Sequence, residues 1–263
     1  MDLSELFHRV GKLEKENSAY KAKLDSYREY ANWGNTPPEN FETIIKTAVV
    51  IDEVIDEYKL DCLGVRCWTE FEAYLKICPC IILSELSNRG IPASCEVDVG
   101  NALSMLALQL ASGTPAATLD WNNNYGNEEN KCILFHCGPV PKDMLTKPME
   151  IVDNPLQANV HGPGHSWGAS MARIKPSAMT YMSSRTEAGR LGFYLGEGRF
   201  TDDEFDESFF GNAGVAEIPG LQNILLQAGQ NGFRHHVSAT MGQKSAALRE
   251  AFTKYLGYDV LDF

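Results

Sequence analysis

The sequence predicts an α/β protein followed by a β-rich domain. It places a partial parallel α/β layer over residues 1–111 and an antiparallel, β-barrel-like C-terminal domain over 112–263. Three observations predict this. Ahead of Gly113, helical periodicity alternates with short apolar runs, the pattern of helices and parallel strands in one layer. Beyond it, short strand-like pieces are separated by Gly, Pro and Asn. Ser112-Gly113 closes a strongly apolar helix between the two textures and sets the boundary near residue 112.

Residues 2–30 read as one long helix, because Leu3, Leu6, Val10, Leu13, Asn17, Tyr20, Leu24 and Tyr27 recur in three- and four-residue steps. Such a stripe serves either a coiled-coil contact or an amphipathic helix lying on its own domain. Pro37-Pro38 break the pattern, and a second helix follows over 41–58. The short apolar run 63–67 suits a buried strand. The segment 70–88 is helical, with a kink or break at Pro79 and a stop at Arg89-Gly90. A second strand at 91–95 and an apolar helix over 97–111 complete the first layer. Further strands are expected at 118–120, 132–136, 178–183, 191–195 and 215–218, with a last helix over 242–256. The acidic run 202–207 reads as a solvated loop.

Composition narrows the function classes. A formal net charge of −12 over 263 residues argues against a nucleic-acid partner, whose phosphates require clustered Lys and Arg. Seven cysteines contain no pair of CxxC motifs, so a zinc ribbon is not expected; reduced, mostly buried thiols in a cytoplasmic protein fit better. No basic-then-apolar signal opens the chain, and no run reaches the ~18 apolar residues of a membrane span. No membrane partner is expected.

Two carboxylates carry the chemistry. Glu96, in Cys95-Glu96-Val97-Asp98, ends a strand and begins a helix, where ligands of open α/β sheets collect. It serves equally as a complement to the positive pole of that helix, a role also open to Asp98. Asp120 ends the next strand and precedes Trp121-Asn122-Asn123-Asn124-Tyr125, amides beside aromatic faces that suit a sugar but also a tight turn. His235-His236 come late; adjacent histidines on an extended strand point opposite ways, so one of them faces a given site. Two carboxylates and an imidazole suit a hard divalent cation. His136, His161 and His165 sit at a strand end and in a Gly-rich loop. A Cys–His nucleophile at Cys137 and His136 is the weaker reading, since a buried thiol explains the cysteine.

Asp61 to Trp68, Cys95-Glu96-Val97-Asp98, Leu119-Asp120, His136-Cys137-Gly138 and His235 to Gly242 together resemble the L-fucose/L-arabinose isomerase family. The likeness covers about 58–140 and 229–263 and is weak between them. It implies that Glu96, Asp120 and His236 bind a divalent metal, Mn²⁺ ahead of Mg²⁺, with Glu96 and Asp120 catalytic. The Glu-then-Asp pair matches the fucose-type branch. His136 falls where the arabinose-type branch has a further ligand, so it is either a fourth ligand or a supporting group. His235, Trp68 and Asn122 are the accompanying substrate-side residues. The implied reaction interconverts an aldose and a ketose, a pentose or a 6-deoxyhexose, through a cis-enediolate. Family members carry a further N-terminal α/β region, so a homo-oligomer or a partner chain supplying it is expected. The alternatives are a catalytically incomplete sugar-binding or split subunit, and a metal-dependent hydrolase or lyase using the same ligands.

Overall fold

Asn17 divides the N-terminal stretch into two helices, α1 (Leu3–Lys12) and α2 (Ser18–Tyr30), in the computed structural model, which describes residues 1–261. Its side chain accepts the Ala19 amide at 2.8 Å, as an N-cap does, so the single helix expected over 2–30 is corrected to two. Both pack on α3 (Pro38–Tyr58). Leu6, Val10, Tyr20 and Tyr27 are buried there, so the stripe serves the chain's own core.

Next come β1 (Leu63–Gly64), α4 (Glu70–Leu75), α5 (Cys80–Asn88), β2 (Ala93–Ser94) and α6 (Val99–Ser112). The expected parallel pairing is present but short: Leu63 opposes Ala93 and Gly64 opposes Ser94. Pro79 stands at the break between α4 and α5. Gly113, at φ 70°, caps α6 in the left-handed region that glycine tolerates.

Beyond α6 lie β3 (Ala116–Asn124), β4 (Lys131–His136), β5 (Glu150–Asp153), α7 (Pro155–His161), β6 (Trp167–Arg173), β7 (Ser177–Glu187), β8 (Arg190–Phe200) and β9 (Asn212–Glu217). Then follow α8 (Leu221–Gln230), β10 (His236–Met241), α9 (Ser245–Glu250), which continues as a π-helical turn over Ala251–Tyr255, and β11 (Asp259–Leu261). Nine of these strands form one sheet in the order β11-β8-β7-β10-β3-β4-β9-β6-β5. Its β6–β9 and β8–β11 pairings are parallel, so the wholly antiparallel layer expected from the sequence is a mixed sheet. β8 also meets β9 at two residue pairs, Arg199 with Glu217 and Phe200 with Ala216, which curls the sheet without making it a closed barrel.

One apolar cluster joins Tyr27, Ile45, Phe71 and Ile81 to Leu119, Leu134, Val237 and Ala239. The helices therefore press on the sheet through a continuous core. No helix among the described residues is long and apolar enough to cross a membrane.

The seat of β6 against the first layer is tight. The Cys78 amide donates to Trp167 O at 2.9 Å, and a Cβ on Gly168 would stand 2.2 Å from the Cys78 carbonyl oxygen. Gly168 also has φ +121°, where an L side chain is strained. We expect Gly168→Ala to lower unfolding free energy by more than ~2 kcal/mol in urea denaturation. An unchanged midpoint would mean that this contact is not made in solution.

Candidate metal centre

The turn between β2 and α6 projects Glu96. Glu96 and Val97 both adopt left-handed backbone (φ 59° and 58°), a conformation that costs about 1–3 kcal/mol for a non-glycine residue. Backbone bonds from Val97 N to Val65 O at 3.1 Å and from Asp98 N to Cys95 O at 3.0 Å hold it in place. The residue that follows, Asp98, caps α6 by accepting the Asn101 amide at 2.9 Å.

Asp120 and His236 come together through strand register. β10 lies between β3 and β7, and His236 is the direct cross-strand partner of Asp120. Opposed residues of an antiparallel pair share a face, so the carboxylate and the imidazole project together. His236 Nε2 lies 3.4 Å from Asp120 Oδ1 and 3.6 Å from Glu96 Oε2. His236 Nε2 thus stands within 3.6 Å of both carboxylates, while Glu96 and Asp120 belong to two separate three-residue groups around it.

A buried polar ladder fixes the ring of His236. Its Nδ1 donates to Asp98 Oδ2 at 2.8 Å; the Asn101 amide donates to the same oxygen at 2.8 Å; the Ser238 hydroxyl donates to Asn101 Oδ1, also at 2.8 Å. With the proton on Nδ1, the lone pair of His236 sits on Nε2 and faces the carboxylates. Burial alone would raise the Asp98 carboxyl, but the hydrogen bonds from His236 and Asn101 outweigh it and hold it at about 2. Burial opposes protonation of His236, yet the bond to Asp98 and the charges of Asp120 and Glu96 raise its proton affinity overall. The sequence reading gave Asp98 only a helix-pole role. Its signal was an aspartate right after a strand end with an amide three residues on.

His136 is held differently. Its Nδ1 accepts the Cys137 amide at 2.9 Å, which places the ring proton on Nε2. The ring is near the group: Glu96, His136 and His236 bring one atom each within 4.8 Å of one another. Asp120, His235 and His236 do the same. His235 Nε2 reaches to 3.4 Å from Asp120 Oδ1, although alternation would send one of two neighbouring histidines away. The reason is local: β10 begins at His236, so His235 is outside the extended strand. Trp68 lines a cleft with Arg66, Glu96 and Val97. Asn122 is exposed at the register shift between Trp121 and Asn123 in β3, and its side chain makes no hydrogen bond among the described residues. Cys137 is unsuited to attack, because hydrogen bonding with Cys80 and burial push its thiol up to about 11.

The donor set fits a divalent cation. Asp120 Oδ1, His236 Nε2 and His136 Nε2 are buried and lack a hydrogen-bond partner among the described residues. Buried polar atoms are almost always paired, so these three unsatisfied ones, on His236 and on residues grouped with it, mark a place for a ligand. Carboxylate oxygens with one imidazole nitrogen suit Mn²⁺ or Mg²⁺.

Residues 134–263 match the family described as L-fucose isomerase, C-terminal domain. Over those residues the chain is similar to the C-terminal domain of L-fucose isomerases. Among curated relatives, a sulfoquinovose isomerase of Alkalicoccus urumqiensis is 35% identical over 205 residues, covering 75% of this chain and 43% of the relative. Sulfoquinovose isomerases of Priestia aryabhattai and Clostridium sp. (strain MSTE9) are 28% and 26% identical, over 52% and 64% of this chain and 30% and 37% of theirs. The chain therefore spans less than half the length of these relatives.

Two outcomes follow from the ladder. Asp98→Asn should weaken Mn²⁺ binding about 10–100-fold, read by calorimetry, since the carboxylate orients the ligating ring. An unchanged affinity would remove Asp98 from that role. His236 must give up any proton on Nε2 to hold an ion, and its proton affinity is raised. Mn²⁺ loading should thus fall as pH drops, beginning above the ordinary imidazole value, while Asp98 stays ionised. Loading that stays flat through the imidazole range would count against His236 as a ligand.

Proposed function

We propose that this chain carries the metal- and proton-handling part of an aldose–ketose isomerase. The observation that carries the reading is that Glu96 and Asp120 both lie within 3.6 Å of His236 Nε2, with Asp120 Oδ1 and His236 Nε2 buried and without a hydrogen-bond partner among the described residues. Glu96, Asp120 and His236 would hold the cation, Mn²⁺ by preference. When bound, it would polarise neighbouring sugar oxygens at C1 and C2 and stabilise developing negative charge.

The residues of the chain divide the proton work. Isomerisation moves one proton between C1 and C2 and another between O1 and O2, with a cis-enediolate between. Glu96, the more exposed carboxylate, is placed at the cleft to take and return the carbon-bound proton. Asp120 touches both His236 and the exposed His235, which suits it to the hydroxyl proton and to exchange with solvent. His136, with its proton on Nε2, serves as a donor to a sugar oxygen, and the Trp68 ring covers a C–H face.

The substrate is a pentose or 6-deoxyhexose, and the names of the relatives add sulfoquinovose, an anionic sugar. Arg66 lines the same cleft as Glu96 and is the cation such a sugar would meet. All seven cysteines are free, which fits a reducing cytoplasm.

The deciding experiment incubates the protein with Mn²⁺ and each sugar, alone and with a partner chain, and follows aldose–ketose conversion and bound manganese. Glu96→Gln and Asp120→Asn should each lose the metal and at least ~10²-fold in turnover. Full manganese occupancy in both variants would take these residues out of the site.

A further inference from the structure

Behind the carboxylate–imidazole group lies a second cluster of ligating atoms. Cys80 opens α5, Cys95 follows β2 and Cys137 follows β4, three elements far apart in sequence. Their Sγ atoms all lie within 4.8 Å of one another, and Cys80 and Cys137 are 3.4 Å apart. The three residues are 1%, 0% and 5% exposed, so the cluster is shut off from bulk solvent. Cys67 adjoins Cys95 and Cys78 adjoins Cys80, which gathers five of the seven cysteines at one spot.

The spacing suits a metal. With metal–sulfur bonds of about 2.3 Å, three sulfurs around one ion in a plane stand ~4 Å apart. A triangle with one side of 3.4 Å and none above 4.8 Å reaches that geometry when its sides change by no more than about 0.8 Å. The ligand type selects the ion: thiolates favour soft cations, and Ala169, Phe135, Val152 and Phe210 wall part of the cluster with apolar surface. Carboxylates are absent from the ligand triangle itself. The N-terminus of α5 at Cys80 supplies positive potential for thiolate charge. The His136 ring lies against Cys137, with Nδ1 3.4 Å from its sulfur.

We infer that Cys80, Cys95 and Cys137 form a binding site for a soft, thiophilic cation of low coordination number, of which Cu(I) is the type. Coordination replaces each thiol proton, released to solvent, by a metal–sulfur bond, with no change of oxidation state. The site is separate in ligand chemistry from the oxygen-rich centre but joined to it by backbone, since Cys95 precedes Glu96 and Cys137 follows His136.

The test titrates the reduced full chain, without oxygen, with Cu(I) buffered by a chromophoric chelator and allowed to equilibrate. We expect one Cu(I) per chain withdrawn from the chelator and, by X-ray absorption, a first shell of three sulfurs. Cys80→Ser, Cys95→Ser and Cys137→Ser should each compete at least ~10-fold less well, while Cys62→Ser and Cys132→Ser compete as the wild type does. Circular dichroism checks that each variant is folded; if one is not, the absorption shell of the wild type decides. Failure to withdraw copper, a shell containing nitrogen or oxygen, or full binding by the triple serine variant would overturn the inference. So would preferential uptake of Zn²⁺ into a four-coordinate shell in a parallel titration.

Discussion

The bond between His236 and Asp98 is the constraint on which the candidate centre rests. It joins the strand that carries the imidazole to the cap of the helix that follows Glu96. A rotation of either element would break it and leave a buried carboxylate without its partner, an expensive arrangement in a dry interior. Asn101 and Ser238 extend the same chain of donors and acceptors, and both are buried. The sheet, the helix and the turn between β2 and α6 are thereby held in one arrangement.

The order of strands follows from that need. Placing β10 beside β3 puts a residue from near the C-terminus opposite one from the middle of the chain. Ser94 from β2 meets Thr118 from β3 at 3.1 Å, which ties the small parallel pair to the large sheet. Three segments distant in sequence thus supply one site. The shared apolar core beneath them gives the rigid support that such a constellation requires.

Much of this was legible in the residues, and the rest was hidden for physical reasons. Helices with a clear apolar stripe or a Gly stop, such as α3 and α6, declare themselves through local periodicity. Asn17 did not, because an N-cap side chain inside a continuing stripe leaves the hydrophobic pattern undisturbed. β10 does not stand out although His236 to Met241 alternate polar and apolar residues, because the small Ser238, Ala239 and Thr240 leave only a weak apolar signal. Parallel neighbours such as β6 and β9 depend on long-range pairing that composition does not encode. Glu96, Asp120 and His236 could be named from motifs, whereas Asp98 showed only a local cap signal, its importance lying in a partner 138 positions away. The conjunction of both histidines with Asp120 was likewise set by where the strand begins.

The left-handed pair at Glu96 and Val97 has a consequence for how this sequence can drift. Glycine is the residue that the backbone at 96 would accept most readily, and it is also the residue that would erase the side chain there. Selection for a sturdier fold and selection for a carboxylate at that spot therefore pull in opposite directions. A library screened for thermal resistance alone should accumulate glycine at this corner and empty the very position that gives the corner its purpose.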